Sequence, residues 1–246
     1  TMTQTITNKG NLTVTDSKGE GLITNKKNNV IVNQGNLTID SVKLESVVSV
    51  INGNSGTGTI TLQNNPTLKG TNGIYVSTGQ TINMLNGTIQ ASSNGIQMQS
   101  ANSKFTMENG LIQGTSYGVY TCGENNVLTI NNGEITATNG IGLRDDCSKN
   151  TSRRSTVTVN GGTITGTTYG AHLYYSIGNF SNTEIKTTST NRDYYAFHAL
   201  SPAKDLKVAI TDPKKKEALV IADGDNFSLA IGKKGQNARL ASRLTR

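Results

Sequence analysis

Met84-Leu85-Asn86-Gly87-Thr88-Ile89, Met107-Glu108-Asn109-Gly110-Leu111-Ile112 and Ile130-Asn131-Asn132-Gly133-Glu134-Ile135 are one phrase written three times. A second phrase alternates with it: Asn72-Gly73-Ile74-Tyr75, Asn94-Gly95-Ile96-Gln97, Tyr117-Gly118-Val119-Tyr120 and Asn139-Gly140-Ile141-Gly142. A fixed period in this range marks a repeat architecture. The last inward residue before each turn serves as an anchor. The anchors are Val14, Ile39, Leu62, Met84, Met107, Ile130, Val159 and Phe180, at intervals of 25, 23, 22, 23, 23, 29 and 21.

In most coils an apolar residue stands two positions before the anchor: Leu12, Leu37, Ile60, Ile82, Phe105, Leu128 and Val157. That is the period of a strand with one buried face. A second apolar position follows five residues after the anchor, at Leu44, Ile89, Ile112, Ile135, Ile164 and Ile185. A third strand carries the inward pairs Ile74/Val76, Ile96/Met98, Val119/Thr121, Ile141/Leu143 and Ala171/Leu173. Asn-Gly between alternating apolar residues otherwise suggests a hairpin. A meander, however, has no reason to place equivalent residues at every 22nd or 23rd position. Three short strands per coil, stacked in parallel at ~4.8 Å, do. The reading is mainly β: a right-handed parallel β-helix of about eight coils over residues 1–198.

Stacking makes further positions equivalent. Asn86, Asn109, Asn132 and Asn160 are expected to form an amide ladder. The outward stripe of the third strand reads Tyr75, Gln97, Tyr120, Gly142, His172 and His198, a shallow face for a ligand or plain solvent-facing ladder positions. The 29-residue interval marks an insertion, Arg144 to Arg154, expected as a lateral loop.

Composition agrees with thin apolar layers. Only 33 % of the chain is hydrophobic, with four Phe, no Trp and 27 Gly, too few large side chains for a conventional two-layer core. No apolar run approaches ~20 residues, so no transmembrane helix is expected. No charged-then-apolar signal segment opens the sequence. Cys122 and Cys147 belong to no metal-ligand spacing; a disulfide and two free thiols both fit.

Catalysis finds little support in residues 1–198. Asp145-Asp146 is the one adjacent carboxylate pair in the insertion, and neighbours on an extended backbone point apart. That makes a poor acid/base pair for glycoside hydrolysis. His172 and His198 occupy equivalent outward positions, and Ser176 is the nearest hydroxyl nucleophile candidate to His172, without a third member for a triad. Carboxylates do not converge as a calcium site requires. No catalytic residue, metal site or cofactor is expected.

The charge lies elsewhere. Residues 1–198 carry 13 Lys and Arg against 11 Asp and Glu; residues 199–246 carry 10 against 5. This basic segment raises the expectation of a polyanionic partner. From Ala199 the repeat language ends. Val208 to Thr211 and Ala218 to Ala222 read as strands, with a turn at Asp212-Pro213-Lys214-Lys215. Phe227 to Ile231 reads as a short helix, opened near Asp223 with Asp and Asn available as caps. Gly232-Lys233-Lys234-Gly235 follows, then a helix from Gln236 to Leu244. The glycines let backbone approach a phosphate. Amides opening the second helix face an anion there, and the lysines add screenable charge.

This strand–strand–helix–GxxG–helix order has the clamp geometry of a KH domain, whose loop grips about four backbone nucleotides. Ser228 to Thr245 resembles the second KH domain of the bacterial termination/antitermination factors of the NusA family, and Ala199 to Lys204 is similar to the segment leading into it. By that resemblance Ile231, Gly232, Lys233, Lys234, Gly235, Gln236, Arg239 and Arg243 form an RNA-binding surface. RNA is the implied partner, and RNA polymerase follows by family resemblance alone. By the resemblance, the family's polymerase-binding, OB-fold and first KH domains are expected to have no counterpart in these residues, and the KH sheet is expected to lack its last strand.

Residues 1–198 resemble, in style only, the Asn/Thr/Gly-rich adhesin-like β-helices of bacterial surfaces, which implies a glycan or host surface as partner. The expectation is therefore a chimera: a non-catalytic β-helix over 1–198 and a NusA-like KH domain over 199–246, joined near Phe197–Leu200. The KH part implies a cytoplasmic, RNA-binding protein. The alternatives are a surface adhesin-like structural protein and, third, a polysaccharide-active enzyme using the 144–154 loop.

Overall fold

The computed structural model describes residues 5–146, 153–174, 176–188, 207–212, 217–221 and 224–244. The chain divides into two compact units, Thr1–Thr188 and Ser189–Arg246. The junction expected at Phe197–Leu200 lies outside the described residues.

The first unit is a parallel β-solenoid of about eight coils. One sheet has eight strands in chain order, from Asn11–Thr15 to Ile177–Phe180. All eight anchors pair in register along it: Val14, Ile39, Leu62, Met84, Met107, Ile130, Val159 and Phe180. A fourteen-stranded sheet carries the other two faces of the coil. They join because Thr67–Val76 and Thr88–Met98 each run unbroken through the bend between them. The column Leu44, Leu68, Ile89, Ile112, Ile135, Ile164, Ile185 is continuous. Leu68 escapes a five-residue offset because Asn64-Asn65-Pro66 lengthens that turn.

The core is this set of stacked columns, with Phe105, Ile82, Met84, Ile96 and their equivalents fully buried. Glycine in the third strand has a packing reason. A Cβ on Gly73, Gly95, Gly118 or Gly142 would stand 2.5–2.7 Å from the carbonyl oxygen of the glycine one coil on. The column ends at Gly170, whose carbonyl oxygen is the one Gly142 approaches.

That column corrects the third-strand reading. Gly142, not Gly140, stacks on Gly118, and the inward pair there is Leu143/Asp145 rather than Ile141/Leu143. Ile141 pairs with Tyr117 instead. Ile112 to Val119 spans seven residues, whereas Ile135 to Leu143 spans eight, so the repeated Gly-Ile phrase is displaced along the strand. The outward stripe is consequently Tyr75, Gln97, Tyr120, Arg144, His172. Arg144, Asp145 and Asp146 are strand residues, within Ile141–Asp146, and not part of a loop.

The asparagine ladder is also displaced. Asn160 Nδ2 donates to Asn131 Oδ1 at 2.8 Å, and Asn131 Nδ2 donates to the Glu108 carboxylate at 2.9 Å. The residue directly after the anchor stacks, because Asn160 N–H bonds to Ile130 O and Asn131 N–H to Met107 O. Asn86 instead accepts from the backbone N–H of Asn65 at 2.8 Å. A second ladder lies inside the solenoid. Asn8 Nδ2 donates to Asn33 Oδ1 at 2.7 Å, and Gln80 Nε2 reaches Asn33 O at 3.1 Å, two coils away. The intervening coil has Gly53, where a Cβ would meet Gln80 Oε1 at 2.5 Å. Asn8, Asn33 and Gln80 are tolerated inside because each finds hydrogen-bond partners.

The second unit contains an antiparallel pair, Lys207–Asp212 with Glu217–Ile221. Two helices follow: α1, Asp225–Ile231, and α2, Gln236–Leu244. The N-cap of α1 is Gly224, with no side-chain capping bond, so neither Asp nor Asn performs the expected role. Ala230 and Ala241 are buried. No helix among the described residues is long and apolar enough to cross a membrane.

Candidate nucleic-acid interface

Helix α1 ends because Gly232 adopts φ 69°, ψ 172°, a region open essentially to glycine alone. Its N–H still bonds to Ser228 O at 2.9 Å, closing the last turn. Lys233–Gly235 form one 3₁₀ turn, with Gly235 N–H on Gly232 O at 3.0 Å and Gln236 N–H on Lys233 O. Within it Lys234 is left-handed, at φ 54°, ψ 29°. A non-glycine residue there carries backbone strain.

Two side chains from the first turns of α2 reach back across this loop. Asn237 Nδ2 donates to Leu229 O at 2.8 Å, and Arg239 Nη2 donates to Lys234 O at 2.6 Å. The first satisfies a carbonyl near the end of α1, where intrahelical donors run out. The Asn237 side chain also lies where a Cβ on Gly232 would be, at 2.6 Å.

The structure places the expected residues as follows. Lys233, Lys234 and Gln236 are exposed on the loop and its edge, and Gly232 and Gly235 are half-buried. Ile231 closes α1 with its side chain 38 % exposed. Lys233, Lys234 and Arg239 form no ion pair among the described residues. Arg239 is exposed yet bonded to the loop's own backbone. Arg243 lies in α2, and its side chain is outside the described residues. Sequence reasoning missed Asn237. The sequence carried no signal for it, because its partner is the backbone carbonyl of Leu229.

On the solenoid, three successive coils gather a second cluster. Arg144 forms a two-pronged ion pair with Asp146, 2.8 Å from both Nε and Nη2, and donates from Nη1 to Tyr117 OH at 2.9 Å. Its guanidinium lies 5.4 Å and 5.8 Å from the Tyr117 and Tyr120 ring centres. The Asp146 hydrogen bond raises the Arg144 pKa. The His172 ring lies tilted against those of Tyr169 and Tyr174, with ring centres 5.7 Å and 6.3 Å away. Burial, with the nearby Arg144 charge, lowers the His172 pKa. Asp145 points inward, fully buried, and accepts a hydrogen bond from Ser176 Oγ. Burial pushes its carboxyl up to about 7, against the lowering effect of Ser176, and Asp146 adds to the rise. Asp145 and Asp146 therefore face opposite sides of the strand. His198 and Cys147 lie outside the described residues, and Cys122 is a free thiol. No group of three His, Cys, Asp or Glu side chains fit to hold a metal occurs among the described residues.

Two helices joined by a tight GxxG turn, following two antiparallel strands along the chain, have the arrangement of the clamp in KH-type domains. Comparison with known proteins narrows the class. Residues 193–246 match the NusA-like second KH domain. The same region is 51 % identical over 51 residues to transcription termination/antitermination protein NusA of Mycobacterium tuberculosis H37Rv, covering 21 % of this chain and 15 % of that protein. The NusA proteins of Halalkalibacterium halodurans and Bacillus subtilis are 49 % identical over 51 residues and 42 % identical over 62. These cover 21 % and 25 % of this chain, and 13 % and 16 % of the relatives. The similarity thus spans about a sixth of each relative or less. No solved structure matches the chain.

Proposed function

We propose that this chain binds single-stranded RNA through the Gly232–Gly235 loop. The observation that carries this reading is the loop itself: two exposed lysines, without ion pairs among the described residues, on a glycine-bounded turn between two helices. Glycine at both ends lets a phosphate approach the backbone, the α2 N-terminus favours an anion, and the lysines supply attraction. Gln236 lies at the rim, and Arg243 adds positive charge further along α2. The relatives' names support transcription termination or antitermination as the proposed setting, and a cytoplasmic location is proposed with it. The domain boundary proposed is 198/199, with the solenoid as a carrier that performs no catalysis.

The test uses the full chain and a fluorescein-labelled single-stranded RNA of mixed sequence, read by anisotropy at several salt concentrations. Binding is expected to weaken steeply with salt. The double variant Lys233→Asp, Lys234→Asp should lose about 100-fold or more, since two attractions become two repulsions. Absence of binding by the parent at low salt, or unchanged binding by the variant, overturns the reading.

A further inference from the structure

We infer that Asn237 and Arg239 are positioning residues of the phosphate loop, and that Arg239 acts through the loop backbone instead of touching RNA. The inference rests on the RNA-binding reading above and reassigns one of its residues.

The loop contains two backbone conformations that must be held. Gly232 sits at φ 69°, ψ 172°, and Lys234 at φ 54°. Such conformations persist only where their surroundings over-determine them. Each is flanked by a carbonyl fixed from α2: Leu229 O, three residues before Gly232, by Asn237, and Lys234 O by Arg239. The Arg239 bond, at 2.6 Å, is charge-assisted and correspondingly strong. It fixes the Lys234–Gly235 peptide plane, so it also fixes where the Lys234 side chain leaves the loop. Asn237 does the same for the end of α1, and its side chain occupies the space left by the missing Gly232 Cβ. That explains why the first glycine is required beyond its φ. Keeping this bond holds the guanidinium plane against the loop backbone, so the side chain is not released to swing out toward a phosphate. A planar fork on a helix suits one fixed carbonyl, whereas a point charge such as Lys does not reproduce it.

The experiment compares the full chain with Asn237→Ala, Arg239→Ala and Arg239→Lys. Amide hydrogen exchange is first read without RNA. Exchange at Gly235 and Gln236, whose N–H groups bond to Gly232 O and Lys233 O, should quicken about tenfold on losing either side-chain bond. Amides of the 207–212 and 217–221 strands should keep their rates, reporting an intact unit. RNA binding, by the anisotropy assay, should fall about tenfold in all three variants with an unchanged salt slope. Arg239 is exposed and Ala favours helix, so Arg239→Ala keeps the test valid should Asn237→Ala unfold. The proposal is overturned if loop exchange is unaltered. It is equally overturned if Arg239→Lys binds like the parent while Arg239→Ala lowers the salt slope by about 0.7, the signature of one single-strand phosphate contact. Should the parent bind no RNA, the function falls, and the exchange measurement alone still decides the positioning role.

Discussion

The solenoid and the C-terminal unit use glycine and asparagine for opposite ends. In the solenoid Gly73, Gly95, Gly118 and Gly142 serve the neighbouring coil, and their repetition is explained by stacking. In the C-terminal unit Gly232 and Gly235 are not repeated, bound a strained exposed turn, and flank two exposed lysines. Residues that recur because the fold needs them say little about activity. Residues that break the pattern and still hold a costly conformation point to a site. The same contrast separates the exteriors. Arg144 on the solenoid is consumed by Asp146 and two tyrosines, while Lys233 and Lys234 have no such partner among the described residues.

The strongest way to break this comparison is to damage one unit alone. Phe105 is fully buried and paired with Ile82 and Leu128 in the coil interior. Phe105→Ala should cost about 3–5 kcal/mol of solenoid stability through lost burial and a cavity. Calorimetry should show one lowered transition while RNA affinity stays within error of the parent. An equal loss of RNA binding would show that the solenoid takes part in the site.

A pH measurement isolates the buried carboxyl. Asp145 is held near pKa 7 against an ordinary value of 3.8. Below about pH 4 Asp145 is protonated in both folded and unfolded states, and its own contribution to stability is at its most favourable. Between pH 4 and 7 the unfolded chain releases a proton that the fold retains, so stability falls as pH rises, then levels off. The upper bound is on the order of 4 kcal/mol. His172, with its lowered pKa, contributes the opposite slope, losing stability as pH falls. The informative quantity is therefore the difference between parent and Asp145→Asn, read as Tm from pH 4 to 8. The variant should gain on the parent as pH rises; a constant difference rules the assignment out.

Asp145 also shows where the sequence stopped being legible. Anchors, apolar columns and coil number follow from spacing, since alternation and period are local and additive along the chain. So did both C-terminal helices and the GxxG loop, down to the limits of α2 at Gln236 and Leu244. The third strand at 141–146 did not, because one added turn residue shifted Leu143 and Asp145 into the core while Gly140-Ile141 still imitated the repeat. A buried aspartate breaks the inward-apolar rule, so pattern alone assigned it to a loop. Asn237 and Arg239 were obscure for another reason. Their partners are backbone carbonyls, and a sequence shows no trace of which carbonyl a side chain will find.

The smallest effects sharpen the comparison within the solenoid, where two amide ladders differ only in burial. Gln80 is wholly buried, spans from its own coil to Asn33 and fills the place above Gly53. Gln80→Ala leaves Asn33 and Ser55 carbonyls short of a donor and opens a cavity, which should cost about 1–3 kcal/mol. Asn160 bonds to Asn131 at a similar distance, but on an exposed turn. Water replaces that bond almost fully, so Asn160→Ala should change stability by less than about 0.5 kcal/mol. Chemical denaturation of the two variants decides whether the outer ladder stabilises the stack or merely follows it. Equal losses would mean that the outer amides, too, hold the coils in register.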